Sequence, residues 1–180
     1  MRRVALGALL LVGCRINIDT PVDMTATTDA AKCVTGTSGK CQCVMGTSTA
    51  CLAAPTSGNT FTWINENILN NNCLGSSCHQ ANSSSNAKKN PYGDAATSYA
   101  SLVNFASNVK PGTTLVVAGQ PKMSYALVIL NKLPAEDFLP AATSYPAADI
   151  GLMPQSNNTL CCQKLDAIEA WITAGAAMVP

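Results

Sequence analysis

Cys73-Leu74-Gly75-Ser76-Ser77-Cys78-His79 decides how the rest of the chain is read. It holds the one histidine of a 180-residue sequence, directly after a cysteine, with another cysteine five positions upstream. Two thiols and an imidazole this close suit covalent attachment of haem c. The thiols add to its two vinyl groups, and the imidazole, carried on the same short backbone stretch, reaches the iron. The usual spacing is C-x2-C-H. Here four residues separate the thiols, and Gly75, Ser76 and Ser77 are small enough for the longer arm to bulge. A disulfide loop from Cys73 to Cys78 beside an incidental histidine is the competing reading.

Working outward, Phe61, Ile64, Ile68 and Leu69 recur at three- and four-residue steps before the motif. That period predicts an amphipathic helix of about three turns, with Thr60 as N-cap and its end at Asn70-Asn71-Asn72. Residues 80–95 read as a polar loop. Tyr99, Leu102, Val103 and Ala106 predict a second short helix, and Ser124 to Leu133 a third. Residues 134–158 carry four prolines and read as irregular. A last helix is expected over about 160–174, with Leu165, Ile168, Trp171 and Ile172 on one face and Gly175 as its stop. A haem domain of this size needs a sixth iron ligand or an open face, and a methionine thioether is a common partner of histidine. Met153, in Gly151-Leu152-Met153-Pro154, is the leading candidate because proline stiffens its loop. Met123 is its competitor, although it opens an apolar helix.

These pieces in this order resemble monohaem class I cytochrome c domains. More narrowly, they are similar to the cytochrome c-like domains of bacterial surface lipoproteins and planctomycete-type proteins. The likeness spans roughly residues 60–177. It rests on Ile64 to Leu69, Cys73-x4-Cys78-His79, Tyr99-x-x-Leu102-Val103, Gly119-x-Pro121-x-x-Ser124-x-x-Leu127, Lys132-Leu133, Met153-Pro154 and Ile168-x-x-Trp171-Ile172-x-x-Gly175-Ala176. The resemblance implies an all-α, haem-enclosing fold whose first and last helices cross. It also implies one covalent haem c on Cys73 and Cys78, iron ligands His79 and Met153, and one-electron transfer with a redox partner protein. Four residues between the thiols, the Cys161-Cys162 pair and a cysteine-rich N-terminal extension depart from the usual pattern.

The N-terminus supplies an address. Met1-Arg2-Arg3 precedes the apolar run Val4–Val12, which is too short to span a bilayer and of the length of a secretory signal core. Leu11-Val12-Gly13-Cys14 resembles a bacterial lipobox, which implies acylation of Cys14 after removal of residues 1–13. Arg15 rather than Asp favours an outer-membrane destination in the cell envelope, facing the periplasm or the cell surface. Residues 14–32 read as a tether, 33–58 as a cysteine-rich module with its linker, and 59–180 as the cytochrome c-like domain.

Composition limits the remaining choices. Lys and Arg number 11 against 10 Asp and Glu; without Arg2 and Arg3 the balance is 9 against 10, so no electrostatic case exists for nucleic acid. With 47% apolar and 12% charged residues the chain is not of the disordered type. No G-x-S-x-G, second histidine or paired carboxylates point to an enzyme, and Asp166 and Glu169 read as a solvated helix face. A haem-free, disulfide-stabilised lipoprotein acting as a binding or structural module is the alternative function.

Nine cysteines point to an oxidising compartment. Segment 33–51 has too few apolar residues to build a core, so disulfides must hold it if it is ordered at all; a zinc site is the rival reading, without a nearby histidine or the usual C-x2-C knuckle. Setting aside Cys14, Cys73 and Cys78 leaves Cys33, Cys41, Cys43, Cys51, Cys161 and Cys162, with 15 possible pairings. A bond between adjacent Cys161 and Cys162 would distort the peptide, since neighbouring Cα atoms lie about 3.8 Å apart and disulfides prefer about 5.5–6 Å. The expectation is that both pair with the N-terminal module and staple it to the head of the last helix.

Overall fold

The computed structural model describes residues 34–35, 41–43, 45–57, 60–74, 78–81, 89–139, 153–154 and 160–178. Cys14, Cys33 and the signal and tether expected before them lie outside the described residues. In chain order the elements are β1 (Val34–Thr35), β2 (Cys41–Cys43), α1 (Thr49–Leu52), α2 (Phe61–Ile64), a π-helical turn (Asn65–Leu69), α3 (Asn70–Asn72) and α4 (Ala95–Ala100). A 3-10 turn (Pro121–Met123), α5 (Tyr125–Ile129), a second 3-10 turn (Ala135–Asp137) and α6 (Cys162–Thr173) follow. The strands β1 and β2 pair antiparallel within the cysteine-rich extension. The described residues between 60 and 178 carry helices and isolated bridges.

The first helical rod runs unbroken from Phe61 to Asn72 through α2, the π turn and α3. Thr60 caps it, its Oγ1 accepting from the Trp63 N–H at 3.2 Å. Phe61, Ile64, Ile68 and Leu69 are all buried, as the apolar period required. The π turn displaces the register by one residue and turns Asn65 inward, where its Nδ2 donates to the Gly93 carbonyl at 3.0 Å. The last helix, α6, buries Leu165, Ile168, Trp171 and Ile172, and Gly175 ends it at φ 103°.

The two rods meet at their aromatic residues. Phe61 lies 5.1 Å from Trp171 and 5.2 Å from Tyr99, the latter edge-to-face. Each such pair adds about 0.5–1.5 kcal/mol beyond the area it buries. The polar ends are satisfied: Tyr99 Oη donates to the Ala176 carbonyl at 2.9 Å and Trp171 Nε1 to the Ala177 carbonyl at 2.7 Å.

The middle of the chain departs from the sequence expectation. The second helix is α4, which starts upstream at an Asp94 cap and ends at Ala100. Val103 and Ala106, expected on that helix, instead bridge Val116 and Thr114. Asn104, at φ 57°, turns the chain into that pairing and donates its N–H to the Val116 carbonyl at 2.9 Å. The third helix is shorter than expected: α5 stops at Ile129, with Asn131 left-handed at φ 60°. Asp166 and Glu169 do more than face solvent, since both carboxylates hold Lys132, at 2.5 and 3.2 Å, and tie the end of α5 to α6.

Two disulfides fix the extension to the head of α6, as expected: Cys43–Cys162 with Cα atoms 5.2 Å apart, and Cys51–Cys161 at 6.3 Å. Between them, the Gln163 side-chain amide reads both backbone groups of Gly46, accepting from its N–H at 3.0 Å and donating to its carbonyl at 2.8 Å. A Cβ at Gly46 would collide with Cys51 Sγ and lie 2.7 Å from the Cβ of Cys161, so only glycine fits beneath the bridge.

The bridges are nested, and their contributions are not equal sums. The first closes a loop of over 100 residues, worth roughly 4–5 kcal/mol in the chain-entropy model. With it in place, the second closes a ring of about ten residues, worth roughly 2.5–3 kcal/mol. We predict that Cys51→Ala with Cys161→Ala, or Cys43→Ala with Cys162→Ala, each destabilises by about 3 kcal/mol in urea unfolding, and that losing all four costs about 7 kcal/mol. Single-bridge losses of 4–5 kcal/mol that simply add would contradict the nested arrangement.

Candidate functional site

The site begins where the first rod ends. Cys73 caps α3, its N–H donating to the Leu69 carbonyl at 2.8 Å. The chain returns at Cys78 and His79, and the His79 N–H donates to the Cys73 carbonyl at 3.2 Å, closing the heptapeptide into a loop. Cys73 and His79 are thus brought together, as the motif required.

The imidazole is held by its partner's chemistry. His79 Nδ1 lies 2.9 Å from the Asn90 backbone oxygen. A carbonyl can only accept, so Nδ1 carries the proton and Nε2 keeps its lone pair. This is how a metal-binding histidine is usually oriented, with its outer N–H on a carbonyl or carboxylate. Burial pushes the imidazole pKa below its ordinary 6.5, against the opposing pull of the Asn90 hydrogen bond. The ring is therefore neutral at pH 7 and available as a donor.

Cys73 is a free thiol. Burial pushes it up to about 12, with the Lys164 ammonium pulling the other way. The closed Cys73–Cys78 loop is therefore not formed. Cys78 is buried and disulfide-bonded, and its partner is not Cys73.

Lys164 is a site residue that the sequence reading missed. It is 1% exposed, and its Nζ donates to Asn72 Oδ1 at 3.3 Å beside Cys73. Its signal lay in the period of α6, because position 164 precedes Ile168 by four and Trp171 by seven and so shares the buried stripe.

Of the two methionines, Met153 is half-buried against the core and donates its N–H to the Ile129 carbonyl at 2.9 Å. No hydrogen bond or ring contact joins it to His79 among the described residues. Met123 is 39% exposed on the 3-10 turn before α5. Phe61, Leu102 and Trp171 are buried in the core, and Trp63, Phe105 and Leu130 pack against it.

A haem of the c type asks this set for one neutral imidazole with a free Nε2 and for thiols beside it. His79 and Cys73 meet that demand. Cys78 meets it only as a thiol, so attachment through both sulfurs requires its disulfide to be absent from the mature protein.

The depressed imidazole pKa has a testable sign for the haem-free chain. Above about pH 6.5 both folded and unfolded histidine are neutral and stability is flat. Below it the unfolded chain takes up the proton first, so stability falls as pH drops and levels off only below the folded pKa. Urea unfolding of wild type should show this extra loss on the acid side of neutrality, and His79→Gln should lack it; parallel pH profiles would contradict the buried neutral ring. Comparison with known proteins finds no family model, curated protein or solved structure that matches this chain.

Proposed function

We propose that this chain is a monohaem c-type cytochrome of the bacterial cell envelope, anchored by lipid at Cys14, that passes single electrons to and from redox partner proteins. The observation that carries the reading is the fixed imidazole: Nδ1 held at 2.9 Å by the Asn90 carbonyl, with Nε2 left as the donor and a free thiol on the adjoining loop. The aromatic contact between the first rod and the last helix is what a fold of the kind implied by the sequence resemblance would need.

Haem supplies the one-electron couple. The chain's own residues do the rest. His79 would hold the iron through Nε2, and Met153, half-buried against the core on a proline-flanked segment, would be the thioether ligand in preference to the more exposed Met123. Leu102, Phe105, Leu130 and Trp171, in or against the packed core, would exclude water from such a group, and burial of this kind together with a thioether ligand would favour the less charged ferrous state. Lys164, buried beside Asn72 and Cys73, would act in the same direction, because a cation close to the iron disfavours the additional charge of the ferric state. The anchor reading rests on residues 1–14, outside the described residues. No helix among the described residues is long and apolar enough to cross a membrane.

A second reading, a haem-free disulfide-stabilised lipoprotein module, is favoured by one observation: the sulfur of Cys78 is in a disulfide. A pyridine haemochrome spectrum of protein co-expressed with c-type maturation machinery separates the two. The cytochrome reading expects a covalent haem spectrum, and its band position reports whether one or two vinyl groups are saturated. No covalent haem overturns it in favour of the module. In the ferric protein, Met153→Ala should abolish the weak near-infrared thioether–iron band and Met123→Ala should leave it. The reverse result would move the ligand to Met123.

A further inference from the structure

We infer that Tyr92 is the positioning residue of this site: its ring sets the rotation of the His79 imidazole and shields the Nδ1–H from water. The two rings stack with centroids 4.5 Å apart and planes 19° from parallel. A single hydrogen bond leaves an imidazole free to swing, because its terminal torsion is broad. A flat ring against one face removes that freedom while leaving the Nε2 edge open.

The stacking ring is itself anchored to what it positions. The Tyr92 N–H donates to the His79 carbonyl at 2.6 Å. The Asn90 side-chain amide meets the Tyr92 hydroxyl at 3.3 Å, while the Asn90 backbone carbonyl holds Nδ1 at 2.9 Å. Between them, Pro91 has a fixed φ and restricts Asn90 to extended conformations. Asn90-Pro91-Tyr92 is thus a rigid bracket around one imidazole, touching its Nδ1, its face and its backbone. The identity of the group that meets Nε2 rests on the haem reading above; the bracket does not.

The sole histidine makes the test direct, since its ring Nδ1–H needs no assignment against others. Exchange of that proton with solvent is followed by NMR on the full chain, kept reduced and diamagnetic where it carries haem. Wild type and Tyr92→Phe, which keeps the ring, should show a slowly exchanging Nδ1–H. Tyr92→Leu, with unchanged tryptophan fluorescence as proof of folding, should exchange several-fold and up to about tenfold faster, the size of one stacked aromatic contact. If Tyr92→Leu does not fold, Tyr92→Met replaces it. Equal protection in wild type and the non-aromatic variant overturns the role of Tyr92, as does an unprotected Nδ1–H in wild type. The same preparations report haem content: its absence overturns the function proposed above and leaves the exchange result standing.

Discussion

The contact of Phe61 with Trp171, at 5.1 Å between the first rod and α6, is the constraint on which the remaining geometry depends. Phe61 is fully buried and Trp171 nearly so, and a close-packed contact of this kind yields little. From it the first rod runs to Cys73 and sets where the heptapeptide loop starts. In the opposite direction α6 runs back to Lys164, Cys162 and Cys161. A one-residue rotation of α6 would turn Lys164 away from Asn72 and both cysteines away from Cys43 and Cys51. The two disulfides and the Gln163–Gly46 amide pair therefore guard the same register that the aromatic contact establishes.

Within that frame the site is built from opposed demands. The imidazole is kept neutral near pH 7 by its burial. The thiol beside it is held protonated by the same burial, while the Lys164 ammonium is the charged group set into the apolar surroundings. A buried cation is expensive unless hydrogen-bonded, and Asn72, at the end of the first rod, supplies an acceptor. The charge is thereby tied to the helix that leads into Cys73.

The parts legible in the sequence are those governed by local period and by covalent geometry. The buried stripe from Phe61 to Leu69, the Thr60 cap, the face of α6 and its Gly175 stop follow from spacing within one element. The staple from the module to Cys161 and Cys162 followed from the strain of joining adjacent cysteines. What was not legible depends on partners distant in the chain. Val103 and Ala106 show a helix-like spacing, yet their backbone pairs with Val116 and Thr114, a contact no local pattern encodes. Asn90-Pro91-Tyr92 reads as a polar loop because its role exists only against His79. Asp166 and Glu169 look like a solvated face until α5 brings Lys132 to them. Lys164 was concealed by its residue type, since a lysine is scored as surface even at a buried position of the period. The disulfide at Cys78 has no signature in the heptapeptide itself.

The central claim is that Cys73 and His79 form a covalent haem site. Mass analysis of the proteolytic peptide spanning Cys73 to His79, taken from mature protein without reduction, tests it most directly. The account predicts a haem adduct on that peptide with Cys73 alkylated by the porphyrin. A peptide of unmodified mass at Cys73, with Cys78 still linked to another cysteine peptide, would contradict it.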